Sequence, residues 1–72
     1  MKHTIKLPER FTAQLLRWPE DGMGYQFVDV ELRDGRVLSH LVVLDAGLLQ
    51  VQEEFEPTLI VSIRKSKRSN AA

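Results

Sequence analysis

The feature that most constrains the fold of this chain is a pair of alternating apolar runs, residues 24–33 and 36–44, joined at Asp34-Gly35. A two-residue Asp-Gly loop supplies the positive φ angles of a type I′ turn, whose twist matches the strands that it joins. The sequence therefore predicts a β-hairpin, and the loop length sets its register. The predicted pairs on its apolar face are Leu32 with Val37, Val30 with Ser39 and Val28 with Leu41.

Two further strands are predicted after this hairpin. Asp45-Ala46-Gly47 is a three-residue loop with glycine last, which suits a type I turn followed by a bulge. It makes residues 48–52 the third strand of a meander, paired as Leu44 with Leu48, Val43 with Leu49 and Leu41 with Val51. Charge and proline then break the pattern, and a fourth strand is predicted at residues 58–63.

Residues 7–18 fit two structures. Apolar side chains recur there at helical spacing, namely Leu7, Phe11, Leu15 and Trp18. Pro8 suits a first helical turn, and Pro19 would end the helix. The alternative is a strand over residues 11–18, followed by a wide loop at 19–24, but its alternation is poor. A short amphipathic helix is favoured.

The outward face of the predicted meander is also apolar at one end. Its candidate interface residues are Tyr25, Phe27, Val42 and Leu44, with Leu48 beside them. A flat sheet cannot bury both faces by itself, so either the sheet coils into a barrel or this patch meets another chain. The fold class expected is mainly β: an antiparallel meander curled into an SH3-like or Sm-like partly open barrel, with a short N-terminal helix.

Length and composition limit the remaining possibilities. The chain has 72 residues, so we expect one β domain over residues 1–63 and a basic, disordered tail over residues 64–72. It has no cysteine, which favours a reducing compartment. Residues 1–6 lack the apolar run of a secretory signal, and no apolar run approaches the ~20 residues that span a bilayer. We expect a cytoplasmic protein without a membrane segment.

No constellation of residues predicts catalysis. Asp29, His40 and Gln52 share a row on the predicted sheet, but no nucleophile falls in that row, so a solvated cross-strand ion pair explains it. No carboxylates flank His3 or His40 at the spacing of a zinc site. The loop at 19–24 lacks the lysine and the following helix of a phosphate loop. We predict no enzyme activity, cofactor or metal.

The end of the chain carries four basic side chains in five residues: Arg64, Lys65, Lys67 and Arg68. They are candidate phosphate contacts, which would add salt-dependent affinity without sequence recognition. The tail has no aromatic side chain for base stacking, so the favoured interpretation is a solubilising tail. The ten basic and ten acidic residues cancel, so any nucleic-acid binding would be local.

The chain also resembles two groups of known proteins. Residues 28–38, followed by Asp45, resemble the first motif of the Sm and Sm-like proteins, a family of small barrels that assemble into rings and bind uridine-rich RNA. In this chain Ala46-Gly47-Leu48 stands where that family carries its Asn-containing base contact. The pattern Gly22-Met23-Gly24-Tyr25-Gln26 with Asp34-Gly35-Arg36 is similar to a group of short, uncharacterised bacterial β-proteins, which implies a bacterial origin.

The function expected from the sequence is a non-enzymatic binding or assembly module whose partner is a second copy or another protein. The alternative is an Sm-like RNA-binding oligomer that uses the basic tail.

Overall fold

The protein is mainly β, as the sequence predicts, and forms a five-stranded antiparallel sheet. The computed structural model describes residues 2–66. The strands are β1 (His3–Lys6), β2 (Tyr25–Leu32), β3 (Val37–Leu44), β4 (Leu48–Val51) and β5 (Ile60–Lys65). One α-helix, α1 (Glu9–Leu15), follows β1, and a 3-10 helix at Pro57–Leu59 precedes β5.

The strand order is β1-β4-β3-β2-β5, so the sheet extends beyond the predicted meander at both edges. β2, β3 and β4 form the meander. The last strand crosses back to pair with β2, where Val30 lies opposite Ile63. β5 runs to Lys65, two residues beyond the predicted domain end. The sequence does not predict β1, because only Ile5 of its four residues is buried and so short a run has no pattern.

The hairpin at Asp34-Gly35 exists, but its turn differs from the prediction. Leu32 N donates to Arg36 O at 2.8 Å, so the loop has three residues instead of two. Gly35 is the only residue of this loop with a positive φ, at 97°, which rules out the predicted type I′ turn. The side chain of the middle loop residue supports the loop, since Asp34 Oδ1 accepts from Arg36 N at 3.0 Å.

The longer loop shifts the pairing by one residue, and a bulge in β3 shifts it back. Val30 pairs with Leu38, whereas the prediction placed Ser39 there. Beyond the bulge, Val28 pairs with Leu41 as predicted. The predicted pairing of Leu32 with Val37 is also wrong: Glu31 takes that partner. The three-residue loop places Leu38 opposite the buried Val30, where it packs against the core, and the bulge returns Leu41 to the position opposite Val28.

At the bulge, Ser39 and His40 together oppose Asp29. His40 has a φ of 57°, in the left-handed region that side chains other than glycine rarely adopt. Asp29 Oδ1 accepts a hydrogen bond of 2.9 Å from the main-chain N of His40. The carboxylate therefore satisfies a main-chain donor that the bulge removes from the ladder.

The second tight turn also differs from the predicted type. Val43 pairs with Leu49 and Leu44 with Leu48, as predicted. The positive φ angles lie at Asp45 (52°) and Ala46 (59°) and not at the glycine that follows. Two successive left-handed residues form a type I′ turn, so the predicted type I turn with a glycine bulge is wrong.

The predicted N-terminal helix is confirmed, and it buries Phe11 and Leu15. It lies against β5, because Gln14 Nε2 donates to Ile63 O at 2.9 Å and Arg10 Nη2 donates to Ile60 O at 3.3 Å. These donors cover carbonyls of an edge strand, which reduces its tendency to pair with another chain. Within residues 2–66, no helix has the length and apolar character needed to cross a membrane.

The core lies between the inner face of the sheet and α1. It contains Ile5, Leu7, Phe11, Leu15, Val28, Val30, Leu32, Val43, Ala46, Leu49, Val51, Ile60 and Ile63. One polar side chain, Gln26, is buried among them. Its Nε2 donates to Leu15 O at 3.0 Å and lies 3.4 Å from Trp18 O. Gln26 therefore ties the end of the helix to the sheet, as a second donor to Leu15 O, which also accepts from Trp18 N at 3.0 Å.

Candidate binding face

The four predicted interface residues form two directly opposed pairs on the sheet. Tyr25 lies opposite Leu44, and Phe27 lies opposite Val42. Alternate residues of β2, from Gln26 to Leu32, are buried, so these pairs lie on the outer side of the sheet. Leu48 extends the patch, since it pairs with Leu44. We call these five residues the aromatic face.

The aromatic side chains of this face contact each other in a row. The ring centroids of Tyr25 and Phe27 are 5.5 Å apart, with their planes at 73°. The rings of Phe27 and His40 are stacked, with centroids 4.4 Å apart and planes at 6°. Both geometries are favourable for aromatic pairs. The row therefore forms an ordered surface that extends from the first residue of β2 to the bulge.

A glycine in the preceding loop makes room for the first ring of the row. A Cβ atom at Gly22 would overlap the ring of Tyr25, so only glycine lets this ring lie on the loop backbone. The loop is also joined to β2, because Asp21 Oδ2 accepts from Phe27 N at 2.7 Å. Gly24 has a φ of 84°, which turns the chain into the strand. The loop thus positions the aromatic face.

Apolar surface on this face reaches solvent. Leu44 and Leu48 are each 37% exposed, and Tyr25, Phe27 and Val42 are half-buried. Isolated exposed leucines are common, but here the exposed side chains are neighbours in one patch. Such a patch is typical of an interaction surface.

The polar row predicted from the sequence does not form. The carboxylate of Asp29 accepts from the main chain of His40, while the imidazole Nδ1 lies 3.1 Å from Ser66 Oγ. Gln52 lies beyond the end of β4, and the β3–β4 ladder stops at Val43 and Leu49. His40 thus acts as part of the aromatic row and not as the partner of a carboxylate.

The predicted phosphate contacts are in different environments. Arg64 is exposed in β5, opposite Asp29. Lys65 Nζ lies 3.6 Å from Asp21 Oδ1 and 3.4 Å from the carbonyl of Pro19, so it is already engaged within the chain. The other two predicted contacts, Lys67 and Arg68, lie outside the described residues.

The two histidines lie on different strands, His3 on β1 and His40 on β3. His3 Nδ1 lies 3.9 Å from Glu54 Oε1 at the surface. Across the part of the chain that the structure describes, no group of three or more His, Asp and Glu side chains is arranged to hold a metal ion.

Sequence reasoning identified the aromatic face but missed its two supports. The stacking of His40 on Phe27 depends on the bulge, which carries no recognisable sequence signal because its left-handed residue is not glycine. The contact of Gly22 with Tyr25 has a weak signal, a glycine three positions before an aromatic strand residue.

Comparisons with known proteins give no relative to guide the assignment: no family model matches the chain, and no similar curated protein or solved structure is found.

Proposed function

We propose that this protein is a non-enzymatic binding module that associates with a second copy of itself through the aromatic face. The observation that carries the proposal is the paired arrangement of Tyr25 with Leu44 and of Phe27 with Val42 on the outer side of a sheet whose inner side already forms the core. The core is therefore complete without these side chains. Contact with the surface of another molecule would remove them from water, which is favourable for apolar groups.

The size of the chain supports association. A domain of about this length buries only about 60% of the surface that its unfolded chain exposes, so its margin of stability is small. Covering the aromatic face with a second copy would bury further apolar surface. In a two-fold interface the same surface of both copies is in contact, so that surface must complement itself. An apolar patch meets this requirement because two copies of it do not repel each other by charge.

Charged groups at one rim of the face support a two-fold arrangement. Asp29 and Arg64 lie opposite each other on β2 and β5. In the proposed two-fold pair of sheets, the Asp29 carboxylate of each copy faces the Arg64 guanidinium of the other, while its Oδ1 keeps the hydrogen bond from His40 N. Such exposed pairs set orientation more than affinity.

Sedimentation equilibrium tests the proposal with two charge substitutions. Leu44→Glu places a carboxylate in the aromatic face, and Val61→Glu is the matched control, because Val61 is a 48% exposed aliphatic residue of β5 that does not belong to the aromatic face. The parent and Val61→Glu should associate, whereas Leu44→Glu should sediment as a monomer with an unchanged circular dichroism spectrum. A monomeric parent at millimolar concentration, or equal association of all three proteins, would refute the proposal.

One observation favours a second candidate, binding of single-stranded RNA. Ser66, the last described residue, has its Oγ 3.1 Å from Nδ1 of His40, which is stacked on Phe27, so the basic residues Arg64 and Lys65 that precede it end β5 near the aromatic row. Aromatic rings next to cations are typical of sequence-tolerant single-strand binding.

Fluorescence anisotropy with a labelled uridine-rich oligonucleotide tests this candidate. Binding should weaken steeply with salt, and both Phe27→Leu and Arg64→Ser should reduce it. Mixed-sequence RNA should bind equally well. A clear preference for uridine would instead support the Sm-like alternative, and no binding at low salt would exclude both.

We also propose a bacterial, cytoplasmic setting for this module. The lack of cysteine in the sequence supports a reducing compartment.

A further inference from the structure

A second feature of the fold lies between β3 and β4, which pair only at the turn that joins them. Their ladder consists of Val43 with Leu49 and Leu44 with Leu48. The bulge at His40 lies where this ladder would continue along β3. The predicted pair of Leu41 with Val51 does not form. The two strands therefore diverge, and between residues 38 and 42 the side of β3 that faces β4 has no strand partner among the described residues.

Clefts lie on both sides of this gap. The inner cleft has a volume of about 290 Å³ and is lined by the apolar side chains of Leu38, Leu41, Val51 and Phe55. The outer cleft has a volume of about 190 Å³, and its lining includes His40 and Val42. Leu41 and Val51 line both clefts, so the two are opposite faces of one gap in the sheet.

This arrangement suits an extended peptide. A peptide that adds to an unpaired strand edge gains main-chain hydrogen bonds, and pockets that receive alternate side chains give specificity. Successive side chains of a strand point to opposite faces of a sheet. A strand placed in the gap would therefore direct one side chain into the inner cleft and its neighbours toward the outer one.

The charged side chains at the inner cleft indicate the charge of the peptide that would bind there. Glu53 and Glu54 line its rim. The one basic side chain there, Arg36, is paired with Asp34, with Nε 2.9 Å from Oδ2. Arg36 therefore does not neutralise the rim, and because Glu54 Oε1 already lies 3.9 Å from His3 Nδ1, Glu53 is the carboxylate that we expect a basic ligand group to meet first. A basic side chain two positions from the apolar one would lie on the same face and reach these glutamates.

We propose that the gap between β3 and β4 binds an extended peptide segment that has one apolar side chain with a basic side chain two positions away. The peptide pairs with β3 between Leu38 and Leu41, and its apolar side chain enters the inner cleft. The site is separate from the interface of two copies, since only Val42 belongs to both the aromatic face and the lining of the gap.

An NMR titration of the ¹⁵N-labelled full chain tests this site. The probe is the capped peptide Thr-Lys-Thr-Leu-Thr-Lys-Thr. The protein's amide signals should move in residues 38–41 and 51–55. A peptide with glutamate in place of both lysines should bind at least about fivefold more weakly, because its charges repel the rim. The lysine peptide N-methylated at its three central residues should lose binding, because it lacks the main-chain donors.

A protein variant supplies the matching control. Glu53→Lys should weaken binding of the lysine peptide about fivefold. Glu9→Lys changes the net charge of the protein by the same amount, but at a position on α1, and should leave the affinity for the lysine peptide unchanged. The proposal is overturned if the signals of residues 38–41 stay fixed at millimolar peptide, or if the N-methylated peptide binds as well as the parent peptide. Shifts confined to Tyr25, Phe27 and Leu48 would also overturn it while supporting the aromatic face as a binding surface.

Discussion

Replacing His40 by glycine and by alanine probes the bulge that positions the aromatic row. Both variants lose the imidazole and its stacking on Phe27, so that loss cancels when the two are compared. What remains is the effect of a Cβ atom at a φ of 57°. Ser39, the adjacent exposed residue, is the matched control because its φ is not positive.

The magnitude follows from two opposing effects. A Cβ atom in the left-handed region costs roughly 1–2 kcal/mol. Glycine loses more chain entropy on folding, which costs about 0.5–1 kcal/mol relative to alanine within a strand. His40→Gly should therefore be more stable than His40→Ala by about 0.5–1 kcal/mol. At Ser39 only the entropy difference applies, so the order should reverse.

Urea denaturation followed by the fluorescence of Trp18 measures both comparisons. With a slope of about 1–2 kcal/mol per molar urea, each difference corresponds to a midpoint shift of about 0.5 M. The sign is the decisive result. If alanine is more stable than glycine at position 40, as it should be at position 39, the left-handed bulge does not exist and the register at Leu38 is wrong.

Three further predictions concern the supports of the fold. Gln26→Leu should destabilise the protein by about 0.5–1.5 kcal/mol, because it removes the buried hydrogen bond from Gln26 Nε2 to Leu15 O and leaves that carbonyl with the Trp18 N–H alone; thermal unfolding would measure this. Gly22→Ala should displace the ring of Tyr25, so the tyrosine ring signals should shift in the NMR spectrum; unchanged signals would contradict the contact. The N–H of Arg36 holds the pKa of Asp34 below its usual range, so this carboxylate should stabilise the fold above about pH 4 and lose that effect as the pH falls through the lowered pKa. Asp34→Asn should be less stable than the parent at neutral pH, and urea midpoints should converge in acid; a constant gap would exclude the effect.

The aromatic face could be predicted because the two features of the hairpin that the sequence did not reveal, a longer loop and a bulge, shift the strand pairing in opposite directions. The sequence predicts a two-residue loop and a three-residue loop is present, which moves the pairing by one position. The extra residue of the bulge moves it back, so Tyr25 meets Leu44 and Phe27 meets Val42 as the simple hairpin requires. The predicted pairs between the turn and the bulge are wrong for the same reason.

Other parts of the structure depend on contacts that local patterns do not encode. β1 is held by its ladder with β4 and contributes a single buried side chain, Ile5. The left-handed turn at Ala46 is held by the pairing on either side of it, although glycine would suit that conformation better. By contrast, α1 was predictable, since the spacing of Phe11 and Leu15 gives a helix a single apolar face.

The central claim, that the aromatic face is the working surface of this protein, is tested most directly by NMR spectra of the unmodified chain at increasing concentration. Amide signals of residues 25–29 and 42–48 should shift together as a second copy covers the face, while those of α1 stay fixed. Spectra that do not change up to millimolar concentration, or shifts confined to α1 and β5, would contradict the claim.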